Sequence, residues 1–129
     1  MEFDKKKILI VDDDQGIRLT IKRILLKEKK YHIQEAQNGV EAEQVLKSYM
    51  PDLIVLDYMM PEKDGIETCS SIRSDSKLCH VKILGVSGAS NEEYQERKEQ
   101  FNVDAFIEKP FKAEIFKKAI FELLEMNDE

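Results

Sequence analysis

The sequence predicts a single α/β domain in which helices cover both faces of a parallel sheet. Three observations predict it. Strand-like and helical segments alternate five times, the first and third strand-like runs are apolar throughout, and reactive side chains recur at the carboxyl ends of these runs. With 129 residues, 42% of them hydrophobic, the chain suffices for one core and reads as one domain over residues 1–129.

The elements follow in order. Ile8-Leu9-Ile10-Val11 is a strand running into Asp12, Asp13 and Asp14. Ile17, Ile21, Ile24 and Leu25 then recur at helical spacing, and the cationic stretch Lys27 to Lys30 suits a helix C-terminus. Tyr31 to Ala36 alternates apolar and polar residues as a second strand. After the break at Asn38-Gly39, Ala42, Val45, Leu46 and Tyr49 form a second helical stripe, closed by Pro51. Leu53 to Asp57 is the third strand, and past the Pro61 to Gly65 turn Ile66, Cys69 and Ile72 mark a third helix. Val81 to Val86 is the fourth strand, ending in Ser87. A fourth helix is expected over Asn91 to Phe101; with only Tyr94 and Phe101 as large apolar residues it exposes most of its surface. Val103 to Ile107 is the fifth strand, followed by Glu108 and Lys109-Pro110, and Phe116, Ala119, Ile120 and Leu123 line the last helix.

Such alternation implies right-handed crossovers. The continuous apolar runs of the first, third and most of the fourth strand belong in the sheet interior, whereas the polar alternation of the second and fifth belongs at its edges. The order 2-1-3-4-5 meets this condition and is adopted by analogy with doubly wound, flavodoxin-like (βα)5 folds.

Composition narrows the function. A net charge of −6 disfavours nucleic acid as a direct partner, and the short Lys5-Lys6-Lys7 run reads as solubilising decoration. Cys69 and Cys79 lack the number and spacing of a disulfide framework or zinc site. No secretory leader pattern opens the chain, and no apolar stretch approaches the roughly 20 residues needed to span a bilayer, so no membrane association and a cytoplasmic location are expected. Gly-rich nucleotide-binding loops are absent from the sequence.

The chemistry starts at Asp57, a lone acid closing an apolar strand where an unpaired charge is costly. Asp12, Asp13, Ser87 and Lys109 occupy the same ends of other strands, and ligands of open parallel sheets bind at that edge. Were the carboxylates of Asp12, Asp13 and Asp57 to meet, they would repel a phosphate unless a hard divalent cation neutralised them, and Mg²⁺ suits such oxygen ligands. Asp57 is then the candidate nucleophile on phosphorus, Lys109 the point charge on a phosphoryl oxygen and Ser87 a donor to another. Read singly, the Asp12–Asp14 run is equally a solvated turn and helix cap, Asp57 a loop start, and Ser87 and Lys109 surface residues; joint placement favours the site. His32 and His80 read as exposed and non-catalytic, and Gly65 and Gly88 as turn residues.

Ile8 to Asp14, Leu53 to Gly65, Val86 to Ala89 and Phe106 to Phe111, in that order, resemble the receiver domains of two-component response regulators over nearly the whole chain. The resemblance implies that Asp57 accepts a phosphoryl group from a histidine kinase or histidine phosphotransfer protein. It also implies that Mg²⁺ is held by Asp13, Asp57 and the Met59 carbonyl, with Asp12 acting through water. A register one residue later, with Asp13 and Asp14 as the acidic pair, is the alternative. It implies a switch too, with Ser87 moving to the phosphoryl group and Phe106, which lacks the hydroxyl of the tyrosine often found there, turning inward. Met59 and Ala89, flanking the phosphoryl group in similar domains, offer no side chain to orient water, which implies a long-lived phosphoryl state.

The resulting expectation is a phosphoacceptor signalling domain, not an enzyme acting on other molecules, with a downstream protein target and a dimer or docking face on the fourth helix, fifth strand and last helix. Two alternatives compete with it. A Mg²⁺-dependent phosphatase or phosphotransferase with an aspartate nucleophile would need a second acid soon after Asp57 and a substrate cap, yet position 59 is Met and no insertion large enough for a cap is present. A phosphorylation-independent scaffold would not need every reactive position filled.

Overall fold

A computed structural model describes residues 5–60, 63–88 and 96–125. Five parallel strands lie in the order β2-β1-β3-β4-β5: β1 (Lys6–Val11), β2 (Tyr31–Ala36), β3 (Leu53–Asp57), β4 (Lys82–Gly88) and β5 (Ala105–Lys109). Among the described residues, four complete α-helices cross between or follow them: α1 (Gln15–Leu26), α2 (Gly39–Leu46), α3 (Gly65–Ser74) and α4 (Ala113–Leu124). The sequence expectation of order and edges is met. β3 is buried at every residue, whereas β2 and β5 mix buried and exposed positions.

Alternation along each interior strand sorts the core into two layers. Ile8 and Ile10 of β1, Leu53 and Val55 of β3 and Leu84 and Val86 of β4 pack with Ile21 and Leu25 of α1 and Phe116 and Ile120 of α4. Leu9, Val11, Ile54, Leu56 and Ile83 face the other way, onto Ala42 of α2 and Ile66, Cys69 and Ile72 of α3. All four residues expected to line the last helix are buried.

The differences from expectation have local causes. β4 runs on through Ser87 to Gly88 because β5 continues to pair with it, Ser87 opposite Glu108 and Gly88 opposite Lys109. β5 starts at Ala105 instead of Val103: the Asp104 amide still donates to the Ile83 carbonyl at 2.9 Å, but the Ile83 amide goes to the Asp104 carboxylate at 2.8 Å instead of to a backbone carbonyl. α2 stops at Leu46, before Tyr49, whose hydroxyl donates to the His32 carbonyl at 3.0 Å.

The expected fourth helix falls partly outside the described residues, which carry only its end: helical residues 96–97 and the 3₁₀ turn Lys98–Gln100. Its last residue, Phe101, is only 4% exposed and meets Tyr58 edge-on, with centroids 5.8 Å apart. Gly85 makes that packing feasible: a Cβ there would lie 2.6 Å from the Phe101 ring. A glycine inside an apolar strand signals such a close approach.

Candidate functional site

The parallel arrangement brings the carboxyl ends of all five strands to one edge, and Asp12, Asp13, Asp57 and Lys109 meet there. Asp12, directly after β1, is 2% exposed; Asp57, the last residue of β3, is 3% exposed. Asp13 is exposed. One carboxylate oxygen from each of the three lies within 4.8 Å of the others. Lys109, closing β5, donates to Asp12 Oδ2 at 2.9 Å, and its Nζ stands 3.3 Å from Asp57 Oδ1.

Asp12 is anchored along its length. Its amide donates to the Ala36 carbonyl at 3.1 Å, and its Oδ1 accepts the Asp14 amide at 2.9 Å. Asp14 turns away from the cluster and caps α1, accepting from the Gly16 amide at 2.8 Å and the Ile17 amide at 3.2 Å. That geometry separates the two registers left open by the sequence: Asp12 and Asp13 share the cluster with Asp57, and Asp14 starts a helix.

Charge and burial conflict at this edge. Burial pushes the Asp57 carboxyl up to about 7, the neighbouring Asp12 adds to the rise, and Lys109 opposes it. For Lys109 burial works against the charge, but the hydrogen bond to Asp12 and the proximity of Asp57 outweigh it and raise its pKa, so the amine stays protonated. Among the described residues, Lys109 thus pairs with two of the three clustered carboxylates, Asp12 and Asp57. The donor set fits Mg²⁺: all ligands are oxygens, and an octahedral ion bonded at about 2.0–2.1 Å spaces its ligand atoms by about 3–4 Å.

Ser87 is 1% exposed and follows Val86, the register partner of Asp57. Among the described residues, its hydroxyl makes a long 3.4 Å contact with the Gly88 carbonyl. Phe106 is half-buried on the α2/α3 side, opposite Gly85 in register. Met59 presents its side chain to solvent at 45% exposure. Ala89 lies outside the described residues. His32 and His80 are exposed, as expected, and away from the cluster.

Two supporting roles, those of Gly65 and Arg18, were not legible in the sequence. Gly65 is not a left-handed turn residue; a Cβ on it would come within 2.5 Å of the Asp57 carbonyl oxygen, so its lack of a side chain lets α3 start against the end of β3. Gly88 also lacks a positive φ, and a Cβ there would meet nothing within 4 Å. Arg18, on α1, donates from Nη1 to the Asp12 carbonyl and from Nε to Glu35 at 3.1 Å. Sequence position hinted at Gly65, next to the proline turn, but nothing local pointed to the reach of Arg18.

Known proteins share this arrangement. A family model described as the response regulator receiver domain matches residues 8–121. The chain is 36% identical over 120 residues to the chemotaxis protein CheY of Halobacterium salinarum, covering 92% of this chain and 97% of that one. It is also 36% identical over 124 residues to Histidine kinase P4 of Formosa agariphila, covering 96% of this chain but only 9% of that much longer protein. In structure it superposes on the signal receiver domain of a signal transduction histidine kinase from Syntrophus aciditrophicus with a TM-score of 0.88 at 30% identity, covering 96% and 93% of the two chains. Sequence, fold and the strand-end cluster agree, and the chain belongs to the response regulator receiver domain family of two-component systems.

Proposed function

We propose that Asp57 is the phosphoacceptor of this receiver domain, taking its phosphoryl group from the phosphohistidine of a histidine kinase or histidine phosphotransfer protein. The observation that carries this is the convergence of Asp12, Asp13, Asp57 and Lys109 on one strand-end pocket. An oxygen of Asp57 forms the new bond to phosphorus as the phosphorus–nitrogen bond of the donor breaks, and the donor imidazole leaves with that electron pair. Lys109 swings from its carboxylate partners to a phosphoryl oxygen, and Ser87, at the end of the adjacent strand, supplies a hydroxyl donor to another.

Asp12, Asp13, Asp57 and the Met59 carbonyl would hold Mg²⁺, Asp12 through water; bound there, the ion offsets the acidic charge that would otherwise repel the phosphoryl group. Position 59 is Met, where such a phosphatase would need a second acid, and the sequence between the motifs holds no insertion large enough for a cap, which favours a phosphoacceptor over a phosphatase turning over other substrates. The exposed Met59 offers no polar group to orient water, which favours a long-lived phosphoryl state. The switching face comprises Phe106 on β5, the end of the Asn91–Phe101 segment and α4, whose Ile115 is exposed; it serves a downstream protein or a second copy.

Incubation with acetyl phosphate followed by intact-mass measurement tests the reading. A phosphoryl adduct is expected only with Mg²⁺ present, absent from Asp57→Asn and shorter-lived in Met59→Asn. Labelling of Asp57→Asn equal to wild type would overturn the assignment.

A further inference from the structure

Asp13 is the exposed member of the acidic cluster, and among the described residues its carboxylate receives no hydrogen bond. Its direction is therefore set by its backbone, and the peptide that delivers it begins with the Asp12 carbonyl. Arg18 grips that carbonyl. The guanidinium is itself fixed, since its Nε pairs with Glu35 on β2 at 3.1 Å, Glu35 is held from the other side by Lys22 at 2.8 Å, and the Arg18 side chain is only 13% exposed.

We infer that Arg18 is a positioning residue for the cation site, aligning the Asp12–Asp13 peptide so that Asp13 meets Asp12 and Asp57. This rests on the cation site proposed above. Two roles for Arg18 predict opposite signs. As a mere positive charge near three carboxylates it would repel a divalent cation, and its loss would tighten binding. As a clamp on the peptide, its loss loosens the site, and removal of an outer partner of a metal site typically weakens affinity about 10–100-fold.

The experiment is calorimetric titration of the full chain with Mg²⁺ at pH 8, paired with amide chemical shifts of Asp13 and Asp57. Arg18→Met is expected to weaken Mg²⁺ binding about tenfold and to displace the Asp13 amide signal in the cation-free protein. Lys22→Met removes the same charge and the other partner of Glu35 but leaves the Asp12 carbonyl held, so its affinity stays at the wild-type value. Arg18→Lys keeps the charge and covers the case in which the Met variant does not fold; a single ammonium cannot hold both the carbonyl and Glu35 in the fork geometry, and weaker binding is again expected. Wild-type or tighter affinity in the folded Arg18 variants would overturn the inference. No Mg²⁺ binding by the wild type would instead overturn the cation site itself, and the inference with it.

Discussion

The two edges of this sheet solve the same problem in opposite ways. At the amino-terminal edge Arg73, Asp104 and Asp52 each find hydrogen-bond partners. Arg73 donates to the carbonyls of Asn102, Cys79 and Val81 and to the Asp104 carboxylate at 2.7–3.1 Å, and Asp104 also accepts the Ile83 amide. Asp52 likewise exchanges bonds with Lys7, its Oδ2 accepting the Lys7 amide and its own amide donating to the Lys7 carbonyl, both at 2.7 Å. At the carboxyl-terminal edge three carboxylates cluster while Lys109 pairs with two of them, Asp12 and Asp57, and Asp57 is buried at the expense of its ionised form. At the first edge these charged side chains are satisfied within the fold; at the second, the carboxylates of the cluster outnumber Lys109, so added positive charge would stabilise them. Unequal satisfaction of the same residue types is what separates scaffold from site.

The largest test of that contrast is Asp57→Asn in the absence of divalent cations. Between about pH 4 and 7 the folded Asp57 holds a proton that the unfolded chain has released, so wild-type stability falls as pH rises through this window and levels off above it. The rise from 3.8 to about 7 corresponds to about 4 kcal/mol at its limit, and the asparagine variant gains up to that amount at pH 8 while losing the slope. Urea denaturation at pH 5, 6, 7 and 8 reads both, and Mg²⁺ should recover much of the loss in the wild type alone. A flat wild-type profile would mean that the carboxylates are better satisfied than their geometry indicates.

At the other edge the sign reverses. Arg73→Ala strands three carbonyls and the Asp104 carboxylate, and a loss of about 3 kcal/mol is expected in the same denaturation measurement, with Mg²⁺ affinity unchanged. A smaller effect sharpens the boundary of the site. Asp14→Ala removes the α1 cap and is expected to cost about 1 kcal/mol, again without altering Mg²⁺ titration; weakened Mg²⁺ binding would place Asp14 among the ligands.

The sequence by itself determined the class of the fold, the five strands and which acidic and basic residues stand at the strand ends, because burial on one or both faces writes a period into local sequence. The continuous apolar run of Leu53 to Leu56 and the alternation of Tyr31 to Ala36 could only suit an interior and an edge strand, respectively. Asp57 was conspicuous for the same reason, as a charge where the pattern called for none. What only the tertiary structure decided are relations between distant segments. It separated Asp14 from the cluster, showed that Gly65 and Gly85 are small because backbone and the Phe101 ring approach them, and brought Arg18 to the Asp12 carbonyl. These depend on helix placement over the sheet and on side-chain reach, which no local period encodes.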